Sequence, residues 1–378
     1  MLTGEKLKIA EHFSDLEDPR HGAWHLLIDL VTIAICAVIC GADDWSAVAQ
    51  YGRAKEAWFK EFLELPHGMP AHDCYTRVFA RLDADQFERC FLSWVKTIAE
   101  ITTGEVIAID GKMLRRSHDG TLGKSAIHMV SAWATSNRLV LAQEQVDEKS
   151  NEITAIPRLL ALLDLHGCVV TIDAMGCQKK IAQQIVDQGG DYVLALKQNQ
   201  GKLHERTQLL FAHAETHDGE LQTVRDQVVT SEKGHGRIEK RTCQVVEVDG
   251  WGFYLDEKEA WPGLCTVIKV TRELPFDSEQ CPETRYFISS LPSDAEMLLT
   301  VVRRHWGVEN GLHWVLDMAF REDESRVRKG NGPHNFSLLR RLALNLLQRE
   351  DTLKVGIKNK RLRAGWDSAF LAKVLSGA

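Results

Sequence analysis

Several things are scarce in this 378-residue sequence, and each scarcity excludes something. There is no excess of basic charge. The formal net charge is −7, so the chain as a whole is no polycationic clamp, and any contact with nucleic acid must rest on locally concentrated positive charge. There is no apolar run long enough to span a membrane: the most apolar stretch, from Leu26 to Cys40, is short and contains Asp29, so it reads as a buried helix. A charged start followed by a cleavage site, the mark of a secretory leader, is not seen. Nine cysteines are an odd number without zinc-site spacing, which predicts reduced thiols in a cytosolic protein, with Cys36 and Cys40 in the core. Repeats and low-complexity tracts are absent. What remains, 44% hydrophobic and 26% charged residues, suits a folded chain of two or three domains.

The texture changes along the chain. Residues 1–103 carry helical apolar spacing broken by Asp18-Pro19-Arg20 and by Pro66, Gly68 and Pro70, and read as a helical domain. Short apolar strands follow at 106–110, 126–134 and 138–146. A helix capped by Thr154, a strand at 168–173, a helix at 178–188 and a strand at 192–196 complete the run. That order, β-β-β-α-β-α-β, predicts an α/β fold with a ribonuclease-H-like mixed sheet, its core formed by residues 104–200 and 294–350. Residues 201–293 read as a β-rich insertion. Helical spacing returns from Ser293, and residues 351–378 read as a basic tail with a short helix.

Two acids occupy matching places. Val106-Ile107-Ala108-Ile109 ends in Asp110, and the apolar run from Cys168 ends in Asp173. Sites of α/β sheets gather at strand ends, and two neighbouring carboxylates repel unless a cation lies between them; an aspartate there is also an ordinary turn former. Val302, Trp306, Glu309 and His313 share one face of a helix, which predicts a partly buried Glu309 flanked by His305 and His313 as supporting partners. Three acids so placed would form a two-ion site for phosphodiester chemistry.

Positive charge is concentrated in residues 301–363, with fourteen Lys and Arg against seven Asp and Glu. This segment supplies Arg303, Arg304, Arg326 and Arg328 as candidate DNA contacts, although a basic face can equally be plain solvated surface. A second cluster runs from Lys233 through His235 and Arg237 to Arg241, and Lys112, Arg115 and Arg116 follow the first aspartate.

With these residues in place, the chain resembles the H-repeat-associated proteins of Rhs elements, a group of bacterial DDE insertion-sequence transposases. The resemblance lies in Ile107-Ala108-Ile109-Asp110-Gly111-Lys112, the segment from Asp147 to Pro157, Thr171-Ile172-Asp173-Ala174-Met175-Gly176, and His305-Trp306-Gly307-Val308-Glu309-Asn310 with Leu312-His313-Trp314. It implies that Asp110, Asp173 and Glu309 are catalytic and hold two Mg²⁺ or Mn²⁺ ions. It further implies action on double-stranded DNA at element ends and target, a homodimer on DNA, and a cytoplasmic, nucleoid-associated location. Related transposases often carry an Arg four residues before this Glu and a Lys seven after it; here those positions are His305 and Leu316. Two alternatives stand beside it, a structure-specific nuclease on the same fold and an inactive DNA-binding remnant.

Overall fold

The structure, a computed structural model, describes residues 8–118, 125–146, 150–216, 226–234, 237–248, 261–274 and 281–376. Its N-terminal part is helical, as the apolar spacing predicts: α1 (Lys8–Glu11), α2 (Leu27–Ile39), α3 (Trp45–Ala54), α4 (Glu56–Phe59), α5 (His72–Arg81) and α6 (Ala84–Ile98). Asp44 and Asp83 cap α3 and α6 by accepting the amides of Ala47 and Gln86. α2 is the apolar segment and is buried along almost its whole length. Its one acid, Asp29, survives there because its carboxylate accepts the Leu65 amide at 3.0 Å. None of the nine cysteines is paired, and among the described residues no helix is long and apolar enough to cross a membrane.

The expected β-β-β-α-β-α-β order then follows: β1 (Val106–Met113), β2 (His128–Ala134), β3 (Leu139–Gln145), α7 (Glu152–Ala161), β4 (Val169–Ile172), α8 (Lys179–Asp187) and β5 (Asp191–Leu196). β1, β2 and β3 are antiparallel neighbours, whereas β1, β4 and β5 run parallel, giving the ribonuclease-H-like order β3-β2-β1-β4-β5. The start of α7 differs from expectation. Asn151, not Thr154, is the cap, its side chain accepting the Ile153 amide at 3.1 Å. An extended Asn is a strong cap, so the helix begins at Glu152, and Pro157 lies inside it rather than in its first turn.

Beyond α9 (Gly201–Thr216) come β6 (Asp226–Gly234), β7 (Arg237–Glu247), β8 (Thr266–Glu273) and β9 (Glu283–Ser289). The insertion is β-rich as read from sequence, but it is not a separate layer. β9 pairs antiparallel with β5, from Val193↔Ser289 to Leu196↔Tyr286, so one nine-stranded sheet runs β3-β2-β1-β4-β5-β9-β8-β7-β6. Pairing satisfies the edge that β5 would otherwise leave open.

The chain closes with α10 (Ala295–His305), α11 (Trp314–Phe320), α12 (Gly332–Arg349), α13 (Ile357–Trp366) and α14 (Ser368–Ser376). α12 is buried from Gly332 to Leu347 because it lies between the N-terminal helices and the β3 edge of the sheet. Asn345 caps that edge, its amide both donating to the Val140 carbonyl and accepting the Val140 amide, each at 2.9 Å. Next to it is a buried ion pair. Arg341 donates to Glu322 at 2.9 Å, and both side chains are fully buried. Burial alone would raise the Glu322 carboxyl, but Arg341 and Lys112 outweigh it and pull it down to about 2.

This burial corrects the charge reading. Of the fourteen basic residues in 301–363, Arg340, Arg341, Lys360 and Arg361 are buried. Arg361 donates to the carbonyls of Val38 and Ala319, and Lys360 to those of Leu347 and Glu350. Cations at these helix ends neutralise the negative pole of the backbone dipole, so part of the positive stretch is internal structure rather than phosphate-facing surface. Removing one partner of a buried pair strands the other's charge. Glu322→Gln is therefore expected to cost about 3–5 kcal/mol, read as a large drop in melting temperature, while Glu322→Leu with Arg341→Met recovers most of it. An unchanged melting temperature in the single variant would show that the pair carries no such weight.

Candidate active site

Register brings the two aspartates side by side. β1 and β4 pair in parallel from Val106↔Val169 to Ile109↔Ile172, so the next residues, Asp110 and Asp173, adjoin at the strand ends. Neighbouring strands lie about 4.8 Å apart. β1 continues against β2 to Met113 beyond the last pair with β4, which opens space beside Asp110. Alternation puts Ala108, Asp110, Thr171 and Asp173 on the same face, the one α10 covers.

Glu309 completes the group. Asp110, Asp173 and Glu309 line one cavity of about 410 Å³ together with His305, Lys197 and Arg285. The helical face predicted for Glu309 is corrected here. Residues Glu309–His313 form a widened π turn between α10 and α11, which shifts the phase of the helix. Val302 and His313 are buried, but Trp306 is 46% exposed and Glu309 is exposed, facing the cavity rather than lying in an apolar stripe.

The acids feel one another. Burial first, then the like charges of Glu152, Asp173 and Glu309, push the Asp110 carboxyl up to about 7, against the hydrogen bond it accepts from the Gly111 amide. Asp173 is raised as well, by burial and by Glu152. Its Oδ1 accepts the amides of Met175 at 3.0 Å and Gly176 at 3.3 Å, so the turn-former reading of this residue is also correct. The histidines are neutral supports. His305 Nδ1 lies 3.0 Å from Thr171 Oγ1, and burial lowers its pKa to about 4. His313 Nε2 stands 3.5 Å from Asp110 Oδ2, so it adjoins Asp110 rather than flanking Glu309, and burial with the nearby Lys112 lowers it to about 3.

The structure disposes of the expected cationic contacts unevenly. Lys112 is turned away from phosphate: its ammonium pairs with Asp317, near Glu322 and Asp323, and is almost buried. Arg303 makes a two-pronged pair with Glu232, both contacts 2.6 Å. Arg115 and Arg116 are exposed, Arg115 lying 3.3 Å from Asp323. Arg304 and Arg326 are exposed, and Arg328 donates to the Arg116 carbonyl. His235 lies outside the described residues, as does the side chain of Arg237. Leu316 is fully buried. Sequence reasoning missed Glu152, Lys197 and Arg285. Lys197 directly follows the strand read at 192–196, and Glu152 directly follows a good helix cap, so both signals were present.

The donor set suits a hard dication. Among the described residues, no three His, Cys, Asp or Glu groups stand close enough to ligate one ion together. Mg²⁺ does not need three, since it binds through one or two carboxylates and keeps several waters. Both ring nitrogens of buried His313 lack a hydrogen-bond partner beside Asp110, an orphaned polar group that an ion's water would satisfy.

Comparison with known proteins agrees. The "Transposase DDE domain" model matches residues 101–346, and the "DDE_Tnp_1-associated" model matches residues 10–95. The chain is 39% identical to "H repeat-associated putative transposase YhhI" of Escherichia coli K12 over 99% of both chains. It is 40% identical to "Putative transposase YncI" of Escherichia coli O157:H7 over 93% of this chain and 90% of that one. A cryo-EM structure of a piggyBac transposase synaptic complex with hairpin DNA matches 96% of this chain and 76% of that chain at 12% identity and a TM-score of 0.43, too remote to carry weight. With strand-end aspartates and a helical glutamate around one cavity, and family models over most of its length, the chain belongs to the H-repeat-associated group of DDE-domain transposases.

Proposed function

We propose that this chain cuts DNA at the ends of an insertion element and joins the freed 3′-hydroxyl to target DNA, with Asp110, Asp173 and Glu309 holding two Mg²⁺ or Mn²⁺ ions. The observation that carries this reading is the shared cavity of these three acids, two of them on adjacent strand ends. When bound, such ions favour the attacking hydroxyl and the departing oxygen by offsetting negative charge on both. The protein groups hold and orient. Thr171 holds His305 on the cavity wall beside Glu309, and His313 stands against Asp110. Lys197, just after β5, opposes in part the rise of the Asp173 carboxyl, and it meets the DNA backbone together with Arg115, Arg116, Arg304 and Arg326. DNA binding as a homodimer and a place at the nucleoid belong to the same reading.

The charge arrangement generates two expectations. Asp110→Asn, Asp173→Asn and Glu309→Gln should each reduce metal-dependent nicking of an element-end duplex by at least about a thousandfold, with melting temperatures no lower than that of the unaltered chain. Nicking that persists in all three variants would refute the site, and failure to join pre-nicked ends in the unaltered chain would leave a nuclease. The second concerns pH. Asp110 rises from its ordinary value of 3.8 to about 7 on folding, so the folded chain holds this proton more tightly than the unfolded one. Its stabilising contribution is complete below pH 3.8 and is lost as pH rises through 7. Without metal, Asp110→Asn is thus expected to melt above the unaltered chain at pH 8, by a few degrees, with the gap closing toward pH 5. Parallel pH curves for the two proteins would show that the strain is not at Asp110.

A further inference from the structure

Glu152, the first residue of α7, has no part in the three-acid site, yet it sits against it. It is 8% exposed, and its Oε1 lies 2.8 Å from Nε2 of His128 on β2. Its carboxylate packs over the backbone of Gly111, the residue after Asp110. A Cβ on Gly111 would overlap that carboxylate and come within 2.6 Å of His128 Nε2. Gly111 thus leaves a notch in β1 that lets an acid approach from the α7 side of the sheet, opposite the face on which Asp110 and Asp173 stand.

A buried acid pressed toward two others is costly unless a cation is shared. Among the described residues, the one basic side chain recorded beside it is His128, whose Nε2 lies 2.8 Å away without completing a hydrogen bond. The orphaned nitrogens of His313, 96% buried beside Asp110, leave polar atoms at that aspartate that an ion's water would satisfy. We propose that Glu152 is a fourth acid of the active site, reaching through a bound water a divalent cation held by Asp110, with His128 beside its carboxylate. This rests on the reading of Asp110 as a cation-binding group. It gives the Asn151 cap a purpose, since starting the helix at residue 152 is what aims this acid at the strand end.

Calorimetric titration of the full chain with Mn²⁺ alone tests the idea without any cleavage assay. Glu152→Gln keeps the shape and should weaken Mn²⁺ binding by about 10–100-fold, the size typical of groups that support a metal site. Gly111→Ala keeps every acid but fills the notch, and should weaken binding similarly, which decides the matter should Glu152→Gln not fold. Glu283→Gln, which also lines the cavity but is paired with Arg285 and Arg272, measures the loss due to removing one nearby negative charge and should change affinity little. The proposal is overturned when Glu152→Gln and Gly111→Ala bind Mn²⁺ no more weakly than Glu283→Gln while Asp110→Asn loses it. Retention of binding by Asp110→Asn as well would instead bring down the reading of the site itself.

Discussion

Mutual repulsion among carboxylates is the constraint around which this molecule is arranged. Asp110 and Asp173 are forced together by the parallel register of β1 and β4, Glu309 is brought to them by the helix that crosses the sheet, and Glu152 leans in from the opposite face. Left alone, such a group keeps a proton or loses stability. Burial first, and then that repulsion, hold Asp110 near neutrality. The fold holds the acids in place because their carriers are fixed elsewhere: α10 by its Asp294 cap, α7 by Asn151, and the strands by a sheet continuous over nine members.

The opposite charge is handled in the opposite manner. Basic residues near the C-terminus are drawn inward, where Arg361 and Lys360 close helix ends, Arg341 meets Glu322, and Arg340 and Arg361 lie over the rings of Phe336 and Phe320. These contacts tie α12 and α13 to α2 and α11, so the helical N-terminal part and the sheet are one packed body rather than beads on a string. The cost of burying each cation is offset by carbonyls and carboxylates already stranded at those ends.

How much could be read in advance follows from the range of the forces involved. Alternating apolar runs are local, so the strands and their order were legible, and so were Asp110 and Asp173, each ending such a run. Strand pairing is not local: nothing in residues 283–289 says that they lie beside 193–196, so the sequence shows a β-rich insertion but not its continuity with the core sheet. Glu309 was recognisable from its neighbours, but its exposure was not, because a helix of regular pitch was assumed where a wider turn occurs. Glu152 escaped for the smallest of reasons, a helix start placed at Thr154 rather than Asn151. The sign of a side chain is visible in sequence, but its burial is not, as Lys112, Arg340 and Arg341 illustrate.

The wide turn from Glu309 to His313 holds one residue more than a regular turn needs. Each residue advances a helix by about 100°. Loss of a single codon within those five positions would relax the bulge into ordinary helix and re-aim the side chains that the wide turn carries, parting Glu309 from the strand ends or His313 from Asp110. The hydrogen bonding of such a helix would be more regular than before. The convergence of the acids thus depends on the count of residues in this one turn, and not only on their identity.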